Sequence, residues 1–237
     1  MMGVEYPPAY LAQPKNHRCR SCLLIEGPTG NLLVDCPPEL RILVTSAKIY
    51  TIDAVLITHT HADHVMGMDD LRSICILTGK AMPVYTRPEY QADIRRIFPY
   101  AFKEMPLGVA VPRFDLRDVP EVLQIGGLAI TTFEVSHGNM PVTGIRVKNF
   151  AYITDVSDIP SSVMPLLEDL DVLVLDAVRR EPHPNHFHLE RALQVAEKIG
   201  AKKTYLTHLS HDYDHDVTNA ELPHGVQLAF DGLRIPL

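Results

Sequence analysis

The amino-acid sequence predicts an α/β fold. Short apolar runs rich in β-branched residues recur along the chain, segments with helical spacing lie between them, and glycine-rich turn signals separate neighbouring runs. The first pair, "CLLIE" (22–26) and "NLLVD" (31–35), is joined through "EGPTGN", which reads as a hairpin connection. "DAVLI" (53–57) is apolar on both faces and reads as a buried strand, and "MPVYT" (82–86) follows it. "QIGG" before "LAITTFEV" (128–135) reads as a second hairpin. The remaining strand candidates are "GIRV" (144–147), "FAYIT" (150–154), "DVLVLD" (171–176), "KTYLT" (203–207) and "VQLAF" (226–230). Residues 64–78, 88–103, 160–170 and 188–199 carry apolar residues at helical spacing. Proline-rich 104–120 reads as a surface excursion. With no internal repeat or linker, the reading is one domain over 1–237.

Composition narrows the function classes. No window approaches the roughly 18 to 20 uninterrupted apolar residues of a membrane span. The opening "MMGVEYPPAYLAQPKNHRCR" also lacks the basic-then-apolar order of a secretory signal, so a cytoplasmic protein is expected. Four cysteines are few for 237 residues, and free thiols are the expected state. The formal charge is −7, and the basic clusters are as short as Arg95–Arg96 and Arg179–Arg180, which disfavours a nucleic-acid partner.

The stretch "ITHTHADHVMGMDDLR" (57–72) carries the chemistry. His59, His61, Asp63 and His64 form H-x-H-x-D-H directly behind the strand "DAVLI". Residues at i and i+2 on an extended segment point the same way, and the first turn of a following helix brings Asp63 and His64 back to the same point. Imidazole and carboxylate at that spacing suit zinc, manganese or iron rather than calcium or magnesium alone. Three more strands end in a donor: His137 in "FEVSHG", Asp155 in "YITD" and His208 in "YLTH". Singly, each has a structural alternative. Together with the first motif they make seven ligands, enough for two divalent ions, with Asp155 as the natural bridge. Asp35 and Asp176 end strands nearby and either orient metal histidines through the far ring N–H or cap a turn.

"THTHADH", "HG", "TD" and "THLSH" resemble the metallo-β-lactamase-fold hydrolases over nearly the whole chain. "HPNHFHLERAL" and the tail from "LTHLSHDYDH" are similar to the branch containing the phosphoribosyl cyclic-phosphate phosphodiesterase of phosphonate breakdown. The resemblance implies an αββα sandwich and two metals, zinc or manganese. It implies as ligands His59, His61, Asp63, His64, His137, Asp155 and His208, with Asp63 and His186 as catalytic residues. His186 precedes the predicted helix at "HLERALQVAEKIG", where a histidine suits proton delivery to a leaving alkoxide. His183 competes as a phosphate contact and His188 as a helix cap.

Two departures stand out. Members of the branch usually begin with a strand and a "GTGTS" turn, whereas this sequence starts at "MGVEYPP", so either the start is late or the first strand is lacking. The branch's cysteine cluster for a structural zinc, with a histidine matching His211, is replaced by "EYPPAYLAQP", and no such zinc is expected. Cys19 and Cys22 form a lone C-x-x-C, read as structural. His211, Asp212 and His215 read as a brace for the loop after His208, and Cys36 and Cys75 as small core residues. The expected activity is hydrolysis of a small phosphodiester, cyclic ones included, with a homodimer as the assembly considered. A tRNA-processing nuclease or other nuclease, or a thioester or lactone hydrolase, is the alternative on the same fold. A non-catalytic scaffold would be expected to lose ligands, and a redox member to carry a flavin domain.

Overall fold

The computed structural model describes residues 3–104, 106 and 108–236. The strands are β1 (Leu23–Gly27), β2 (Gly30–Val34), β3 (Ala54–Leu56), β4 (Met82–Thr86), β5 (Phe114–Asp118), β6 (Val122–Ile125), β7 (Leu128–His137), β8 (Met140–Val147), β9 (Phe150–Ile153), β10 (Val172–Asp176), β11 (Lys203–Thr207) and β12 (Val226–Leu228). The α-helices are α1 (Pro8–Ala12), α2 (Leu40–Ser46), α3 (Ala62–Val65), α4 (Arg72–Thr78), α5 (Pro88–Ile97), α6 (Leu189–Ile199) and α7 (His215–Glu221). They flank two mixed sheets. The chain divides into two units, Arg20–Thr132 and Phe133–Leu237 together with Met1–Cys19, so the boundary falls inside β7.

In Arg20–Thr132 the sheet order is β1-β2-β3-β4-β5. The first pair is the expected antiparallel hairpin, and the other pairs are parallel. Every residue of β3 is buried, which is why this strand reads as a continuous apolar run rather than an alternation. Its core gathers Leu33, Val55, Ile57, Val65, Met68, Ile94 and Phe98. The second hairpin, β6 with the opening half of β7, turns at Gly126 and Gly127. Gly126 sits at φ +62, and a Cβ there would lie 2.0 Å from the Gly30 carbonyl oxygen, so only glycine fits.

In the other unit β9, β10, β11 and β12 run parallel, with β8 antiparallel to β9. Helix α6 buries Ala192, Val195 and Ala196, the i, i+3, i+4 face that its spacing predicts. Val135, Ile153, Leu175, Phe187, Leu206 and Tyr213 lie in this unit's core.

All ten predicted runs contain strands, but several readings need correction. Proline-rich 104–120 is not only an excursion: Pro112 and Pro120 bracket β5, an edge strand parallel to β4. Segment 64–78 breaks at Gly67 into α3, a 3-10 turn and α4, and 88–103 breaks at Pro99. Segment 160–170 holds only a 3-10 turn, Met164–Leu167, where Pro165 cannot supply a helical N–H. Helices α1, α2 and α7 were not anticipated. Among the described residues no strand precedes β1.

Candidate metal centre

The motif behind β3 is held by a buried carboxylate. Asp35 leaves β2 at φ +62, a left-handed conformation uncommon outside glycine. It is fully buried and accepts from the Thr58 amide (2.8 Å), the Thr58 hydroxyl (2.8 Å) and His64 Nδ1 (2.8 Å). A carboxylate can only accept, so neutral His64 carries its proton on Nδ1 and keeps the Nε2 lone pair for a metal. The Thr58 hydroxyl spends its proton on Asp35 and lies 3.1 Å from His59 Nδ1, which fixes His59 in the same tautomer. His59 Nε2 and His61 Nδ1 are 3.0 Å apart, close to the about 3.3 Å expected for two nitrogens on one tetrahedral zinc. Asp63 and His64 form a second pair, Oδ2 to Nε2 3.5 Å. Gly67 lets α3 approach the end of β2. Its amide donates to the Cys36 carbonyl and the Cys36 amide to the His64 carbonyl, and a Cβ at Gly67 would meet the Pro37 oxygen at 1.9 Å.

The other unit delivers its donors from strand ends. β9, β10 and β11 are parallel and in register, so Asp155, Asp176 and His208 leave their C-terminal ends at one edge. Asp155 (φ +52) and His208 (φ +57) share the left-handed backbone of Asp35, a local strain retained where donors must turn back toward a point. The Thr154 hydroxyl donates to Asp155 Oδ1 (2.8 Å), and His208 Nε2 lies 3.4 Å from that oxygen. His137 ends β7, and its Nδ1 is 2.6 Å from the Asn185 carbonyl, which again leaves Nε2 for a metal.

Asp176 Oδ2 accepts from the Val156 amide (3.0 Å) and from His186 Nδ1 (2.9 Å). His186 Nε2 lies 4.0 Å from Asp155 Oδ2, and its ring stacks on His208 at 5.0 Å between centroids. Asp176, His186 and His208 each bring one donor atom within 4.8 Å of the others. Imidazoles with the tautomer fixed and buried carboxylates are a donor set that fits zinc or manganese.

Asp35 thus does what the sequence suggested for His64, whereas Asp176 serves His186, which is not among the expected ligands, its Oδ1 lying 3.9 Å from His208 Nδ1. His183 Nδ1 accepts the Asn185 amide, and burial first, then neighbouring His186 and Arg179, push its imidazole below the usual range. His188 occupies the N-cap position of α6 without a side-chain capping bond. His211 Nε2 pairs with Asp212 at 3.3 Å, but the cap of α7 is Asp214, whose carboxylate accepts the Asp216 and Val217 amides. Thr58 and Asn185, which hold His59 and His137, were missed; neither sits in a pattern that signals its role. Cys36 and Cys75 are buried free thiols, and the Cys22 thiol donates to the Asp35 carbonyl (3.3 Å).

The chain belongs to the beta-lactamase superfamily, whose domain model matches residues 30–209, and it is a metal-dependent hydrolase of the metallo-β-lactamase fold. It is similar to a crystal structure described as a new diphosphatase from the PhnP family: 34% identity, TM-score 0.90, covering 100% of this chain and 91% of that one. It is 27% identical over 291 residues to ribonuclease Z of Myxococcus xanthus, covering 95% of this chain and 94% of that protein. Octanoyltransferase of Porphyromonas gingivalis is 34% identical over 221 residues; the match takes in 91% of this chain but spans only 44% of that protein. Among the described residues no helix is long and apolar enough to cross a membrane.

Proposed function

We propose that this chain is a dinuclear metal-dependent phosphodiesterase acting on a small phosphodiester as one catalytic domain. The observation that carries the reading is the full-length similarity to a diphosphatase at 34% identity. His59, His61, Asp63, His64, His137, Asp155 and His208 would hold two zinc or manganese ions, Asp155 being the carboxylate expected to serve both. Such ions supply Lewis acidity and a water whose pKa falls to about 7. The chain's own groups do the rest. Asp63, one-third exposed on its side chain, is placed to orient the attacking water and take up its proton. His186, with Nδ1–H committed to Asp176, presents Nε2 as the proton donor to the leaving alkoxide. Asp176 positions that ring by accepting its Nδ1–H. The buried free thiols of Cys36 and Cys75 are in keeping with the reducing cytoplasm.

A second reading, hydrolysis of an RNA phosphodiester, is favoured by the ribonuclease Z relative and opposed by the −7 charge. The test is a screen of metal-loaded protein against bis(p-nitrophenyl) phosphate, cyclic phosphates, a precursor tRNA, thioesters and lactones. Turnover of the small phosphate esters, with none of the RNA or acyl substrates, is the expected result. Thioester turnover alone would overturn the reading and point toward acyl chemistry.

A further inference from the structure

A cleft of about 480 Å³, lined in part by residues that directly follow the proposed ligand His208, plays no part in the chemistry above. Tyr6, Tyr10, Leu11, Asn16, His17, Arg18, Leu209, Ser210 and His211 line it, and all lie in one unit. Part of its lining is the run Leu209–Ser210–His211, which directly follows the proposed ligand His208. Three residues of extended chain span at most about 10 Å, so the cleft lies within reach of a molecule whose phosphoryl group sits at His208.

The walls are flat and aromatic. Tyr6 and Tyr10 stack with centroids 4.7 Å apart and planes at 18°, and His211 meets Tyr6 edge-on at 6.2 Å. The Tyr10 hydroxyl donates to the His211 carbonyl (3.3 Å), which ties the helical segment at Pro8–Ala12 to the loop after His208. Arg18 adds a cation to one side. Its guanidinium donates to the Lys15 carbonyl (2.8 Å) and the Tyr213 carbonyl (2.6 Å), so it is fixed rather than trailing in solvent. The floor is equally fixed: Asn16 donates to Asp214 (3.0 Å) and accepts from the His215 amide (2.7 Å). Aromatic faces, an anchored cation and a hydroxyl in Ser210 are the elements that grip a planar heterocycle attached to a sugar phosphate. The volume falls in the usual small-ligand range of about 300–1,000 Å³.

We propose that this cleft is the nucleoside subsite of the enzyme: it takes the base of a small nucleotide ester whose phosphoryl group lies at the metal centre. The proposal rests on the phosphodiesterase reading for the phosphoryl end and on the cleft alone for the base. The test measures the affinities of the metal-loaded full chain for AMP and for ribose 5-phosphate by calorimetry. Stacking is worth about 1–3 kcal/mol per base, so wild type should prefer AMP by roughly 10-fold or more. Tyr6→Ala should bring the ratio near one, and Tyr6→Trp, which keeps a stacking face, should hold it at or above the wild-type value. Equal affinities in wild type, or a preference that survives Tyr6→Ala, would overturn the proposal. A decaribonucleotide that binds far more tightly than AMP would overturn its small-molecule part. Wild-type turnover of bis(p-nitrophenyl) phosphate, run in parallel, reports on the phosphodiesterase reading separately. A base preference without that turnover would sink the activity and leave the subsite standing.

Discussion

The two units present their donors in opposite ways. In Arg20–Thr132, four donors come from six consecutive residues, His59 to His64, and one buried carboxylate, Asp35, fixes the segment through three hydrogen bonds. In the unit from Phe133 onward, His137, Asp155 and His208 come from three strand ends far apart in sequence, and different groups brace them: the Asn185 carbonyl at His137 and the Thr154 hydroxyl at Asp155. The first set is built by local spacing, the second by strand register. A single change should therefore spread through the first set and stay local in the second, unless it removes a donor shared by both ions.

In the proposed assignment Asp155 is that exception, and its loss should have the largest effect. Asp155→Ala is expected to lower both metal occupancy and turnover, well beyond the about 100-fold scale of outer partners. Two ions held as tightly as in wild type, by elemental analysis of the variant, would remove Asp155 from the bridging role.

His186→Ala comes next. General acid catalysis contributes about 10²–10⁴-fold, so diesters with poor alkoxide leaving groups should slow by roughly 100-fold or more while p-nitrophenyl esters are spared. Metal content should hold, because His186 leans on Asp176. Equal losses on both substrate types would make it a structural residue.

Asp35→Asn tests the local set. The amide puts an NH₂ where an oxygen now meets a donor from Thr58 or His64, so the His64 tautomer is no longer fixed. Metal affinity should fall by about 10–100-fold, read by competition with a chelating dye. An unchanged affinity would show that the motif's spacing alone orients its histidines.

That asymmetry also explains what the sequence reveals. The H-x-H-x-D-H spacing is visible because its geometry is local, and the ten apolar runs are visible because each is buried on at least one face. The left-handed backbone at Asp35, Asp155 and His208 leaves no such mark, since Asp and His tolerate it without advertising it. Thr58 and Asn185 are ordinary polar residues until the fold brings His59 and His137 to them. β5 hides because two prolines announce turns on either side of only two inward apolar residues, Phe114 and Leu116. Helix α2 hides because Ile42, Val44 and Thr45 read as strand formers.

The smallest effect is expected at Cys19 and Cys22. The double change to serine should retain activity and metal content, because the C-x-x-C stands alone, with no second cysteine pair at ligand spacing; the Cys22 thiol donates to the Asp35 carbonyl and the Cys19 amide to Asp231. Loss of one metal equivalent from a folded variant would reopen the C-x-x-C as a ligand pair.

The central claim of the proposal is that the seven named donors hold two ions per chain. Native mass spectrometry of chain saturated with zinc and then desalted tests it most directly. The account predicts two ions per chain in wild type and fewer than two when His137, from the strand-end set alone, is changed to alanine. One ion in wild type, or two ions undisturbed by His137→Ala, would contradict it.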